Sequence, residues 1–168
     1  MAIGEHHYSV TVTWTGNRGT GTSGYRDYGR DHDVALPGLP VLPGSSDPSF
    51  RGDKDRYNPE QLLLTALSQC HMLSYLHVAV TRGVVVVGYS DRAEGSMRLN
   101  RDGSGEFTEV VLRPRVELAD ESQRGLADSL HEEAHHLCFI ARSVNFPVRP
   151  EPTRPEPERP EGNGPAAI

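Results

Sequence analysis

One apolar segment, residues 58–83, limits what this chain can fold into more than any other feature of the sequence. It opens with Asn58, a good N-cap residue, then Pro59, which suits the first helical position, and Gln61 completes the spacing of a capping box. It closes at Gly83, a residue type common just after a helix. Leucine and alanine lie around much of the helical circumference, so we predict a long, buried central helix.

Short strands are predicted on both sides of this helix. The predicted strands are residues 8–14, 34–36, 84–99, 110–118 and 144–148, the third and fourth joined by a hairpin turn at residues 100–105. Residues 37–57 carry Pro, Gly, Ser and Asp with little periodicity and are expected to form one long loop. A second helix is predicted to start near Asp120. This order predicts an α+β fold with antiparallel sheets.

The length and composition suit one domain, which we place at residues 1–148. Residues 149–168 are rich in Pro and Glu and contain almost nothing that can be buried, so we expect a disordered tail. The net charge of −6 argues against a nucleic-acid-binding surface.

The cellular location is predicted from sequence features that the chain lacks. Polar residues (Ser68, Gln69, His71 and His77) interrupt the apolar segment, so no membrane span is expected. No secretory signal pattern is visible at the N-terminus, and two cysteines are too few for a secreted disulfide framework. We therefore predict a cytoplasmic protein.

The two cysteines, Cys70 and Cys138, are the residues most able to carry chemistry. If they meet in the fold, the protein is a redox enzyme; if they do not, each is a small buried hydrophobe. A reactive Cys70 needs a neighbouring cation, for which Arg18 is the candidate, held by Glu60. Taken singly, Arg18 is more simply a solvated turn residue, and Glu60 an acid that complements the helix dipole.

Helix geometry constrains this arrangement. Glu60 and Cys70 are ten residues apart, which on a straight helix is about 15 Å. Either the helix breaks, or Glu60 serves the Cys70 of a second chain. The second option predicts a two-fold homodimer with shared active sites.

A metal site is the competing interpretation. Cys70 and Cys138 have nearby histidines that are candidate ligands, namely His71, His77, His131, His135 and His136. However, the chain has no CxxC or HExxH spacing, so histidines on a polar face or at an interface are the simpler explanation.

Three motifs together resemble those of the OsmC/Ohr family of organic hydroperoxide reductases. They are the stretch from Thr15 to Arg18, the stretch from Asn58 to Leu62 with Cys70 ten residues beyond its acid, and the stretch from Ala134 to Cys138. The resemblance covers roughly residues 8–148.

The resemblance implies an intertwined α+β homodimer with thiol peroxidase activity and no bound metal or flavin. In this family pattern Cys70 attacks the hydroperoxide, and its sulfenic acid forms a disulfide with the resolving residue Cys138. Arg18 stabilises the thiolate and Glu60 orients Arg18. An external dithiol, of the lipoyl type in many members, reduces the disulfide.

Two questions stay open at this point. The segment 19–33 is longer and more polar than the pattern, so Arg26 or Arg30 is an alternative to Arg18 as the site arginine. The alternative function is a non-catalytic dimer that senses oxidant or binds a small apolar ligand. Repeated turnover with a dithiol separates enzyme from sensor.

Overall fold

The computed structural model describes residues 4–154. The chain divides into two compact units, with the boundary between Leu63 and Leu64. Each unit is described by itself. The strands, in chain order, are β1 (Thr11–Trp14), β2 (His32–Ala35), β3 (Leu42–Gly44), β4 (Val86–Asp91), β5 (Glu94–Leu99), β6 (Gly105–Leu112), β7 (Pro114–Leu118) and β8 (Val148–Pro150). The helices are α1 (Pro59–Thr81) and α2 (Arg124–Leu137), with three short 3₁₀ turns between elements. This mixture of helices and antiparallel pairs confirms the predicted α+β class.

The first unit is built on an antiparallel sheet in the order β1-β2-β3. The alternation of apolar and polar residues over positions 8–14 predicts a half-buried strand, but all four residues of β1 are exposed in the single chain. The prediction of one long loop over residues 37–57 is wrong in two places, because β3 pairs with β2 and Pro48–Phe50 form a 3₁₀ turn. β3 was not predicted because it contains Pro43, and a strand tolerates proline only at a sheet edge.

Helix α1 begins and ends as predicted. Asn58 and Gln61 exchange side-chain-to-backbone hydrogen bonds of 2.8 and 3.2 Å, which is a capping box. Gly83 follows the helix with a φ of 70°, a conformation that favours glycine. The buried residues Leu67, His71, Tyr75, Val78 and Ala79 follow one another at intervals of four, four, three and one, which places them along one side.

The opposite side of α1 is open. Leu73 is 62% exposed and Val80 is 77% exposed. The predicted burial around the whole helix is therefore not reached within one chain. By length and composition alone α1 is also long and apolar enough to cross a membrane, contrary to our expectation, although a core helix of a soluble protein meets the same criterion.

The second unit contains the packed core. β4 pairs antiparallel with β7, and β6 pairs antiparallel with β5 and parallel with β8. Pro114 opens β7, so the chain that leaves β6 changes sheets at this point. Side chains of α1, α2, β4 and β7 form the buried cluster, which includes Tyr75, Val116, Leu130 and Ala134. The core thus fixes the two helices that carry the cysteines.

The last strand lies further along the chain than predicted. It was expected at residues 144–148, whereas β8 spans Val148–Pro150. Backbone N–H groups of Glu151 and Thr153 then donate to the carbonyls of Leu112 and Pro114, at 2.7 and 2.8 Å. These bonds to β6 and β7 hold a segment whose composition alone predicted a disordered tail. Residues 155–168 of that predicted tail lie outside the described residues.

Candidate active site

The two cysteines both lie in the second unit and both are free thiols. Cys70 is half-buried on α1, and Cys138 follows directly after the last residue of α2 and is completely buried. The two helices are locked by the shared core, so the fold brings together residues that are far apart in sequence. The thiols of Cys70 and Cys138 lie close enough for a hydrogen bond between them.

The pKa of the Cys138 thiol is shifted by burial and by neighbouring hydrogen-bond partners. Burial is the largest cause that raises the pKa of this thiol to about 11, and a hydrogen bond with the Cys70 thiol raises it further. The backbone N–H of Ala141 donates to Sγ of Cys138 at 3.4 Å, which acts in the opposite direction. Because burial dominates, Cys138 remains a protonated thiol at neutral pH.

A cavity of about 380 Å³ opens beside Cys70. Its lining residues come from α1 and from the end of α2, and they are Cys70, Leu73, Ser74, His77, Leu137 and Phe139. Cys138 does not line this cavity.

Glu60 lies in the first turn of α1 and Cys70 ten residues further along the same unbroken helix. At 1.5 Å per residue this separation is about 15 Å, so the first of the two options, a broken helix, does not occur. Oε2 of Glu60 is buried and has no hydrogen-bond partner among the described residues.

The three candidate arginines differ in how firmly they are held. Arg18 and Arg26 are exposed on the loop between β1 and β2. Arg30 is half-buried: its guanidinium carbon lies 4.4 Å from the ring centre of Tyr25 and 4.1 Å from that of Tyr28. The sequence favoured Arg18 and left Arg26 and Arg30 as alternatives; it could not show the tyrosine contacts of Arg30, because they depend on the folded loop.

The buried histidines form a separate cluster. Nε2 of His71 lies 3.1 Å from Nδ1 of His131, and the His131 ring stacks on Tyr75 with centroids 4.2 Å apart. Burial is the main cause that lowers the pKa of both histidines to about 4. Within residues 4–154 no group of three or more His, Cys, Asp or Glu residues is arranged to hold a metal ion, so the described geometry gives no support to the metal interpretation.

Comparison with known proteins identifies the family. A family model described as OsmC-like protein matches residues 52–152, which is more than half of the chain. The chain belongs to the OsmC family. A search of curated protein sequences gives no significant match.

Solved OsmC-like structures share the fold. An OsmC-like protein of unknown function from Vibrio cholerae is 30% identical with a TM-score of 0.79, and the match covers 89% of this chain and 100% of that one. An organic hydroperoxide resistance protein from Legionella pneumophila is 19% identical (TM-score 0.64, 89% and 98% covered). OhrB of Bacillus subtilis, also an organic hydroperoxide resistance protein, is 20% identical (TM-score 0.64, 88% and 98% covered). At these lower identities the likeness concerns the fold alone.

Sequence reasoning missed two features of this OsmC-family chain. It placed the histidines on a polar face or at an interface, whereas His71 and His131 are buried and their ring nitrogens lie 3.1 Å apart. It also missed the cavity wall formed by His77 and Phe139. No local pattern signals either feature, because both depend on how α1 and α2 pack.

Proposed function

We propose that this protein is a thiol-dependent peroxidase that reduces organic hydroperoxides to alcohols. The observation that carries the proposal is the pair of neighbouring free thiols, Cys70 and Cys138, with Cys70 alone of the two on the wall of an apolar cavity. Family membership supports the same class of activity.

The reaction has three balanced steps. The Cys70 thiolate attacks the outer oxygen of ROOH, the O–O bond breaks, and one proton is taken up, which gives ROH and the Cys70 sulfenic acid. The Cys138 thiol then displaces hydroxide from that sulfenic sulfur, which yields water and a Cys70–Cys138 disulfide. An external dithiol reduces the disulfide by two exchanges and leaves as its own cyclic disulfide. The protein holds no cofactor in this scheme.

The positions of the thiols support this division of roles. Cys70 is accessible from the cavity, whereas Cys138 is completely buried and, with its pKa raised to about 11, stays protonated. A thiolate is the attacking species in peroxide reduction. Cys70 is therefore the peroxidatic residue and Cys138 the resolving residue.

The substrate preference follows from the cavity. Its wall is mostly aliphatic and aromatic, with Leu73, Leu137 and Phe139 beside the thiol. Such a wall gains free energy by burying the organic group of an alkyl or aryl hydroperoxide and gains nothing from hydrogen peroxide. We therefore propose that organic hydroperoxides are the substrates.

We further propose that the active form is a homodimer with shared sites. Apolar side chains on the open side of α1, such as Leu73 and Val80, and on β1, such as Val12, are exposed in the single chain. A second copy that covers them would also complete the predicted burial of α1. Because Glu60 and Cys70 lie far apart along one helix, a shared site lets Glu60 serve the thiol of the second chain.

The test is consumption of cumene hydroperoxide with dihydrolipoamide as the reductant. Wild type should turn over many times, and Cys70→Ser should lose turnover by a factor of about 100 or more, because the attacking thiolate is gone. Cys138→Ser should be oxidised once and accumulate a sulfenic acid that dimedone traps. Phe50→Ala, an exposed change outside the cavity, is the folded control.

Two outcomes would contradict the proposal. Wild type that forms the disulfide once but never turns over would indicate a redox sensor instead of an enzyme. Turnover that survives in Cys70→Ser would remove Cys70 from the chemistry.

A further inference from the structure

Helix α2 carries a motif that the sequence-based prediction missed. Residues 131–135 read His-Glu-Glu-Ala-His, which is an H-E-x-x-H spacing, so the expectation that the chain lacks this spacing is wrong. The motif lies wholly within α2. Two histidines four positions apart on a helix project from the same face and can bind one metal ion together.

Both histidines of the motif line one cavity of about 410 Å³ in the second unit. Asp128 and Glu132, which lie on the same stripe of α2, bring two carboxylates to this cavity, and Pro150 and Pro152 also line it. It shares no lining residue with the cavity beside Cys70. Imidazole and carboxylate are donor groups that divalent transition metals take from proteins.

His131 is 3% exposed and is held by two neighbours. Its Nδ1 lies 3.1 Å from Nε2 of His71, and its ring stacks on Tyr75. A histidine that binds a metal through one ring nitrogen is usually oriented through the other nitrogen, and here Nδ1 has that role, which leaves Nε2 for a ligand. Burial lowers the pKa of His131 to about 4, so the ring is neutral at pH 7, as a metal ligand must be.

His135, the second histidine of the motif, is half-buried and incompletely bonded. Its Nδ1 is buried and has no hydrogen-bond partner within residues 4–154. Other buried side-chain atoms of the described residues also lack a partner, but none of them belongs to a residue that lines this cavity. A buried ring nitrogen without a partner is unfavourable, and an ion bound in the cavity would give this ring a partner.

We propose that His131 and His135 chelate one zinc ion in this cavity. The chain supplies two ligands and water the others, because no three His, Cys, Asp or Glu side chains within residues 4–154 are arranged to hold an ion. The carboxylates of Asp128 and Glu132 stabilise the cation by their charge. This site excludes the cysteines, unlike the metal site considered from the sequence, and it does not depend on the proposed peroxidase activity.

The test is a calorimetric titration of the full chain with zinc chloride at neutral pH. Cys70→Ser and Cys138→Ser together form the background, since free thiols also bind zinc. His135→Gln should weaken the tightest binding event by about tenfold or more, because it removes one of two ligands. His136→Gln changes the adjacent, exposed histidine, which does not line the cavity, and is the matched control.

Urea unfolding gives a second measurement on the same proteins. An ion that binds only the folded chain stabilises it, so zinc should raise the urea midpoint of His136→Gln and leave that of His135→Gln nearly unchanged. Glu132→Gln, an exposed change that keeps the side-chain shape, should weaken zinc binding by less than His135→Gln, since it removes a charge and no ligand.

Two outcomes would overturn the zinc site. One is the absence of zinc binding up to millimolar concentration. The other is equal affinity in His135→Gln and His136→Gln, which would place the ion elsewhere on the chain, for example at the neighbouring His6 and His7. Neither outcome bears on the peroxidase activity, which the consumption of cumene hydroperoxide tests separately.

Discussion

Residues of β6 and β7 in the second unit are buried more deeply than those of β1 in the first unit. In the second unit, Leu112 of β6 is 0% exposed and Val116 of β7 is 3% exposed. In the first unit, Val12 of β1 is 60% exposed and Trp14 is 43% exposed. The core that packs against both helices therefore lies in the second unit, while β1 of the first unit leaves apolar side chains exposed in the single chain.

The largest effect that can test this contrast is acid destabilisation of the second unit. His71 and His131 are buried, and their pKa values fall from 6.5 to about 4. Below pH 6.5 the unfolded chain binds protons that the folded chain excludes, so stability should decrease as the pH falls towards 4. The expected slope is about 1.4 kcal/mol per pH unit for each histidine.

Urea unfolding at pH 7, 6 and 5 measures this slope. His131→Leu should reduce the slope by about half, since one of the two proton-binding groups is removed. His77→Gln changes an exposed histidine on the same helix and should leave the slope unchanged. A stability that does not vary over this range would show that the histidine pair is not buried in solution.

The next effect compares one buried and one exposed aliphatic residue. Leu112→Ala should lower the free energy of unfolding by about 3 kcal/mol, since it leaves a cavity in the second unit. Val12→Ala should change it by less than about 0.5 kcal/mol in dilute monomer, because the side chain is already exposed.

Protein concentration sharpens this comparison. If a second copy covers β1, the cost of Val12→Ala should rise as the protein concentration is raised, while that of Leu112→Ala should stay constant. If Val12→Ala and Leu112→Ala lowered the free energy of unfolding equally at every protein concentration, the proposed difference in burial between β1 and β6 would be contradicted.

The smallest effect concerns the cavity wall. Phe139 is 78% exposed and lines the cavity beside Cys70. Phe139→Ala should lower kcat/KM for cumene hydroperoxide by about 3- to 10-fold, which corresponds to roughly 1 kcal/mol of lost apolar contact. The value for hydrogen peroxide should be nearly unchanged, and an equal loss for both substrates would argue against a role in substrate binding.

Much of the fold was predictable because its signals are local. The capping box at Asn58 and Gln61 and the glycine at position 83 fixed both ends of α1, and the cysteines could be named as candidates by residue type alone. β3 and the pairing of residues 151–153 were not predictable, because Pro-containing segments gained order only through backbone bonds to other strands.

For the candidate site, the sequence could name residues to consider but not their burial or contacts. That Cys138 is the buried thiol and Cys70 the accessible one follows from the packing of α1 against the core, which no spacing encodes. The contact of Arg30 with two tyrosine rings depends on one folded loop. Local patterns point to candidate residues, whereas the burial and contacts of those residues depend on tertiary packing.

The most direct measurement is the oxidation of fully reduced protein by one equivalent of cumene hydroperoxide, followed by peptide mapping under non-reducing conditions. We predict one equivalent of cumyl alcohol and a disulfide that joins Cys70 to Cys138 within one chain. Recovery of both cysteines as free thiols, with the hydroperoxide intact, would contradict the account.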